Sequence, residues 1–179
     1  QLEQGSYATS YIPTSGSATT RLADVCNNSG SAQDFNSEEG VLYWECSALS
    51  DDVGTTRVFS ISDGSSANSL YTGYNSISNL IQSQLLVGGV VQTNMTHFVS
   101  DRTEFIKVAI LYKNNDHKMY VNGVQTSIDT SGSVPSANTF DRLNFDLGQG
   151  SFDFYGKVKD LQVFTTALTD EQLAALTTI

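Results

Sequence analysis

Charge is the first scarcity in this chain. Only 16% of its 179 residues are Asp, Glu, Lys or Arg, and the basic side is thin, 9 residues against 19 acidic, for a formal charge of -10. Such a surface repels a polyanion over most of its area, which argues against nucleic acid and anionic membrane as partners. Long apolar runs are also missing: no stretch of about 18 apolar residues occurs, so membrane insertion through a helix is not expected. Gln1 to Tyr11 lacks the basic-then-apolar order of an export leader, and the chain opens on Gln1 rather than Met. From this we expect a module cut from a longer extracellular or virion-surface protein. Cysteine is down to two, Cys26 and Cys46. A bridge between them is one option in an oxidising compartment. Cys46 shares strand parity with Trp44 and Ala48, however, and is expected to pack as a free, small hydrophobe.

What is plentiful is Ser, Thr, Asn and Gly, set between short apolar runs, and that is the pattern of an all-β domain. The length suits one domain with a substantial core. Residues 1–20 read as a lead-in from a preceding domain and residues 21–179 as the β-domain. Val41 to Leu49 alternates, with Leu42, Trp44, Cys46 and Ala48 inward and Tyr43, Glu45 and Ser47 outward, as in a half-buried strand. Arg57 to Ser62 points Phe59 and Ile61 inward. Further strands are expected at Ser69 to Tyr74, Gln84 to Gln92 and Phe105 to Tyr112. Asn122-Gly123 marks a hairpin inside a meander through Phe105 to Ser127. Arg142 to Gly148 places Leu143, Phe145 and Leu147 inward, Asn144 and Asp146 outward. The last strand, Phe154 to Thr165, changes apolar parity near Lys159, as a β-bulge would. Thr169 followed by Gln172 predicts a capped helix over Thr169 to Leu176.

The order Phe154, Gly156, Val158, Leu161, Val163, Phe164, Ala167, Leu168, Thr169, Glu171, Leu173, Leu176 resembles the closing signature of laminin-G-like, concanavalin A-like domains. Lys107 to Val124, with Tyr120, Asn122 and Gly123, is similar to the same family's hairpin. The resemblance implies an antiparallel β-sandwich, a jelly roll of the concanavalin A-like kind, with one short C-terminal helix. It also implies a structural Ca2+ in some members, held by an Asp just after the F-x-G-x-[IV] pattern. Here that position is Lys159, which leaves Asp160 or the Asp51-Asp52 loop as candidate calcium ligands. The lead-in, with Thr9-Ser10-Tyr11-Ile12-Pro13-Thr14, resembles a segment of modular phage tail and bacterial surface proteins.

Catalytic patterns are missing. No Walker loop, dinucleotide fingerprint, HExxH or clustered Cys and His is present. A retaining glycosidase needs two carboxyl groups about 5.5 Å apart, and no E-x-D-x-x-E run supplies them: Glu45 stands alone on its strand. Glu38-Glu39 and Asp51-Asp52 read as solvated turn acids. His97 is expected in a loop and His117 in an exposed turn, neither in a Gln-x-His motif. We therefore expect a non-enzyme, a carbohydrate-binding or adhesion module. The alternative is a structural or self-associating module that contacts neighbouring domains and binds no glycan, and a sandwich glycosidase or polysaccharide lyase is the third reading, ranked last for want of the carboxylate run. Two groups of candidate ligand-binding residues follow. One is outward on predicted strands: Tyr43, Glu45, Tyr120, Asn144 and Asp146, where amides and carboxylates can meet sugar hydroxyls and tyrosines can stack on a sugar face. The other is a loop group containing Tyr71 and Tyr74.

Overall fold

Short apolar runs between turn residues become ten strands and one helix among the described residues, which in this computed structural model are 11, 13, 15–18, 26–51 and 53–179. The strands are β1 (Glu39–Ala48), β2 (Arg57–Ser62), β3 (Ser69–Tyr74), β4 (Leu80–Val87), β5 (Val90–Phe98), β6 (Ile106–Lys113), β7 (His117–Val121), β8 (Val124–Asp129), β9 (Arg142–Asn144) and β10 (Gly156–Phe164). They form two five-stranded sheets, β10-β1-β6-β7-β8 and β5-β4-β3-β2-β9, with antiparallel pairing throughout both. The sheets stack as a β-sandwich of the jelly-roll kind. The family-like lead-in at residues 9–14 falls largely outside the described residues.

The core lies between the layers. Leu42, Trp44 and Cys46 of β1 and Val108, Ile110 and Tyr112 of β6 meet Phe59, Ile61, Leu70, Tyr74, Ile81 and Leu85 of the facing sheet. Burial of this apolar surface is the main driving term. Trp44 is wholly buried, and its indole N–H donates to Thr72 Oγ1 at 3.3 Å, so its one polar atom is satisfied. Phe59 stacks on Phe154 with ring centroids 4.0 Å apart, and Phe145 and Val163 pack against the same core. Cys46 is buried and free, and Cys26 is exposed and free.

The helix α1 (Asp170–Thr177) covers the outer side of the first sheet. Thr169 caps it: its hydroxyl accepts from Gln172 N while Gln172 Oε1 accepts from Thr169 N. Asp170 and Glu171 in the first turn complement the helix dipole. Leu173 is buried on Val41, Tyr43, Ala109, Leu111 and Tyr120. This corrects the half-buried reading of β1, which is buried along both faces, because alternation reports side-chain direction and not what lies above it.

The bulge falls where the parity change placed it. Glu45 pairs with Asp160 and Cys46 with Val158, leaving Lys159 as the extra residue. The meander β6-β7-β8 also forms as expected. Three expectations fail. Gln84 to Gln92 is not one strand, since the chain reverses at Gly88-Gly89, both at positive φ (58° and 78°) as a two-residue hairpin turn requires. His97 therefore sits on β5 opposite Ile81 rather than in a loop. His117 is fully buried rather than exposed, with Nε2 3.0 Å from the Gly132 carbonyl.

Candidate functional site

Residues directly opposite one another in an antiparallel sheet point to the same side, and the second sheet lines up one residue from every strand. Asn144 lies opposite Ser60, Ser60 opposite Tyr71, Tyr71 opposite Gln84, and Gln84 opposite Asn94. Their strand neighbours Ile61, Leu70, Leu85 and Leu143 face the core, so this polar row crosses the outer face. A second row beside it holds Gly73, Gln82 and Thr96. A Cβ at Gly73 would stand 2.2 Å from the Arg57 carbonyl oxygen, so only glycine lets β2 and β3 close here.

The row is wired by hydrogen bonds. Tyr71 Oη donates to Gln84 Oε1 at 2.5 Å, Asn75 Nδ2 donates to Gln82 Oε1, and Gln82 Nε2 donates to Asn94 Oδ1 at 3.2 Å. Burial raises the Tyr71 phenol above its ordinary value, which keeps it protonated as a donor. With these carbonyl oxygens committed, the amide nitrogens of Gln84 and Asn94 remain available to water or a ligand.

Loops wall one end of the row. Ser60 and Ser62 point outward yet are fully buried, because the connection after β9 folds over them. Asp146 holds that connection by accepting from Gly148 N, and from Gly150 N at 3.2 Å. Asn144 Oδ1 accepts from Asn28 N at 2.6 Å. Beneath this wall the Ser60 hydroxyl is buried with no hydrogen-bond partner. Val58 N donates to Phe152 O at 3.1 Å, bringing the connection back alongside β2. Phe152 is 51% exposed there, at φ 60°, an uncommon backbone conformation for an aromatic residue. Amides, hydroxyls and an exposed ring, without a committed charge, are the groups that bind polyols.

Of the sequence candidates, Tyr71 and Asn144 are brought together in this row. The others are placed elsewhere. Tyr43 and Tyr120 lie under α1 on the opposite sheet, with Tyr120 Oη donating to Gln125 Oε1 at 2.9 Å. Glu45, on that same sheet, accepts from Lys159 Nζ at 2.6 Å. Glu45 also faces Asp160 across β1 and β10, but Asp160 is engaged by Gln162 Nε2 at 2.6 Å. Tyr74 points into the core and donates to the Cys46 carbonyl at 3.1 Å. Asp146 organises a turn. The shared outward face expected from parity does not exist, because parity cannot tell to which sheet a strand belongs. Ser60, Gln82, Gln84 and Asn94 were missed; the Gly88-Gly89 turn was the signal for the hairpin, but alone it would set Gln84 against Thr93, and the register shift between Leu85 and Leu86 moves Gln84 to Asn94.

Of the calcium candidates, Asp51 and Asp160 already have partners, whereas a bound cation gathers about six to eight oxygens. Asp51 Oδ1 is 2.7 Å from Arg102 Nε and its other oxygen accepts from Ser78 Oγ at 2.7 Å. Asp52 lies outside the described residues. At the family position the Lys159 ammonium already neutralises Glu45. Among the described residues no three carboxylate, imidazole or thiol groups converge. A separate cleft of about 470 Å3 opens where the end of β5, the connection to β6 and the β7–β8 hairpin meet, with Phe98, Phe105, Val124, Asp101 and Glu104 in its lining.

A family model described as concanavalin A-like lectin/glucanases superfamily matches residues 47–174. The chain belongs to that superfamily. Among solved structures, this superfamily member is similar to the CBM40 domain of a Ruminococcus gnavus sialidase bound to α2,3-sialyllactose, at 15% identity and TM-score 0.66, over 88% of this chain and 96% of that one. It is also similar to domain 4 of a Geobacillus stearothermophilus arabinanase in complex with arabinotriose, at 15% identity and TM-score 0.59, over 83% and 70% of the two chains. A Limulus polyphemus pentraxin gives 14% identity and TM-score 0.57, over 85% and 74%. At these identities the likeness is one of fold. No curated protein matches the sequence.

Proposed function

We propose that this domain is a non-catalytic carbohydrate-binding module of a larger extracellular or virion-surface protein, and that its glycan lies along the outer face of the second sheet. The observation that carries the proposal is the register-aligned row whose open part is Tyr71, Gln84 and Asn94, closed at its far end where Ser60 and Asn144 are buried beneath the loop wall. Its preset hydrogen bonds hold the donors in place before a sugar arrives, which lowers the ordering cost of binding. Two solved domains of the same fold carry sugars, sialyllactose in one and arabinotriose in the other, and they support a glycan as the ligand class. No paired carboxylates lie on this row, so hydrolysis is not part of the proposal. Calcium is not part of it either.

Calorimetric titration against an oligosaccharide panel, with and without EDTA, tests the reading. At least one glycan should bind weakly, unaffected by EDTA, and Gln84→Ala or Tyr71→Ala should weaken it at least tenfold while far-ultraviolet circular dichroism is unchanged. Binding that survives both substitutions would move the site elsewhere.

A second reading, an interaction module, is favoured by one observation. Phe98 and Phe105 are 64% and 41% exposed at the rim of the cleft beside β5, and exposed apolar patches mark contact surfaces. Light scattering after size exclusion separates the two: a dimer dispersed by Phe98→Ser would favour this second reading.

A further inference from the structure

The cations of this chain are sorted by sheet. All five lysines sit on strands of the helix-covered sheet: Lys107 and Lys113 on β6, Lys118 on β7, Lys157 and Lys159 on β10. Register places Lys107 opposite Glu45, Lys113 opposite Glu39 and Lys157 opposite Ser47, on the outer side of β1. Four of the five are occupied there: Lys113 by Glu39 at 2.8 Å, Lys118 by Asp170 at 2.8 Å, Lys159 by Glu45 at 2.6 Å, and Lys107 by the Thr178 carbonyl at 2.7 Å.

Among the described residues the arginines add no unpaired cation to the polar row. Arg57 and Arg102 are wholly buried, and Arg21 lies outside the described residues. Arg142 alone among the described arginines stands at the row, two residues before Asn144, with three of its five N–H groups engaged and its charge matched by Asp141. Nε and Nη2 donate to the two oxygens of Asp141 at 2.6 and 3.0 Å, and Nη1 donates to Asn28 Oδ1 at 3.0 Å. Carboxylates outnumber it on this side. Asp141 first and Asp63, just past β2, after it raise the Arg142 pKa, Asp146 holds the loop over Ser62, and the backbone of Asp153 pairs with that of Val58.

Among the described residues a carboxylated sugar would meet here no ammonium and only a guanidinium already neutralised by Asp141, and it would lose hydration against a negative surround. Hydroxyls of a neutral sugar meet amide nitrogens and a phenol at no such cost. We infer that the row selects neutral glycans and rejects sialylated and uronic-acid ones, in contrast to the sialyllactose carried by the CBM40 domain of the same fold. This rests on the carbohydrate-binding proposal and sharpens it.

The test pairs each neutral oligosaccharide with its acidic counterpart, lactose against 3′-sialyllactose and neutral oligosaccharides against uronic-acid oligomers, at 20 and 150 mM salt. The expected result is at least a tenfold preference for the neutral member of whichever pair binds, narrowing as salt rises. Asp141→Asn, which releases half of the clamp on Arg142, should raise affinity for the acidic member at least threefold and leave the neutral one unchanged. Equal or tighter binding of the acidic member by the unaltered chain overturns the selectivity while leaving carbohydrate binding intact. Silence across both members of every pair removes the binding proposal itself, and the selectivity with it.

Discussion

Arg102 is wholly buried, and it ties two other segments to its own. Nε meets Asp51 at 2.7 Å, Nη1 meets the Asn75 and Ile77 carbonyls at 3.0 and 3.4 Å, and its own backbone N–H donates to Asn79 Oδ1. Removing the side chain leaves the Asn75 carbonyl and Asp51 without this partner, while the Ile77 carbonyl still accepts from Leu80 N at 3.3 Å, and it empties a buried volume. We expect Arg102→Ala to lower stability by about 2–4 kcal/mol in urea unfolding, with glycan affinity of the folded fraction unchanged. Arg102→Lys should recover only part of the loss, because a single ammonium cannot reproduce the planar fork. Single residues also show what the sequence conceals. Tyr71 and Tyr74 look alike in composition, but three residues apart on one strand they must face opposite ways. Tyr71 joins the outer row and Tyr74 fills the core. Reading Ser69 to Tyr74 as a strand was enough to separate them; treating the tyrosines as one loop group hid it.

At the scale of elements, the terminal helix acts as a lid on the first sheet. Leu173 is its main anchor, so Leu173→Ala should cost about 2–4 kcal/mol, and Thr169→Ala, which removes the cap, about 1 kcal/mol. A second readout follows from Tyr43. Its phenol is pushed up to about 12, first by burial and then by Glu45 and Asp160. Loosening α1 by Leu173→Ala should bring that titration down toward the ordinary tyrosine value in an alkaline absorbance scan; an unmoved titration would mean that the helix is not what shields the ring. The meander, the bulge at Lys159 and the capping box were all legible, because each is written in local spacing. The β4–β5 hairpin was not, since Gly88-Gly89 interrupts an otherwise continuous run from Gln84 to Gln92. The burial of His117 was hidden for another reason. The Gly132 segment that covers it arrives from fifteen residues downstream, and no periodicity on β7 announces it.

For the molecule as a whole, acid sensitivity follows from how its carboxylates are held. Lys113 holds Glu39 below its ordinary value, Ser78 and then Arg102 hold Asp51 down, Ser131 does so for Asp129, and Lys118 for Asp170. The unfolded chain therefore takes up protons before the folded one as pH falls. Stability from these groups is present above the ordinary carboxylate range and is lost as pH drops through their depressed values. The urea midpoint should begin to slip below about pH 6.5, where burial holds the His97 imidazole below its ordinary value and the unfolded chain takes up that proton first, and should fall more steeply below about pH 4; a midpoint that rises on acidification would contradict the assignment. This slope is distinct from solubility, which should be poorest near the isoelectric point of about 4.3, where net repulsion vanishes. The sandwich as such was readable from the alternation after Gly40. Which of its two outer faces stays open was not, because that choice depends on where one eight-residue helix comes to rest.

The one-sided placement of lysine has a practical corollary for anyone handling the molecule. Coupling through its lysine amines to a sensor chip, a bead or a fluorophore attaches the protein by its lidded back, and the amide-lined front stands away from the support with its donors unmodified.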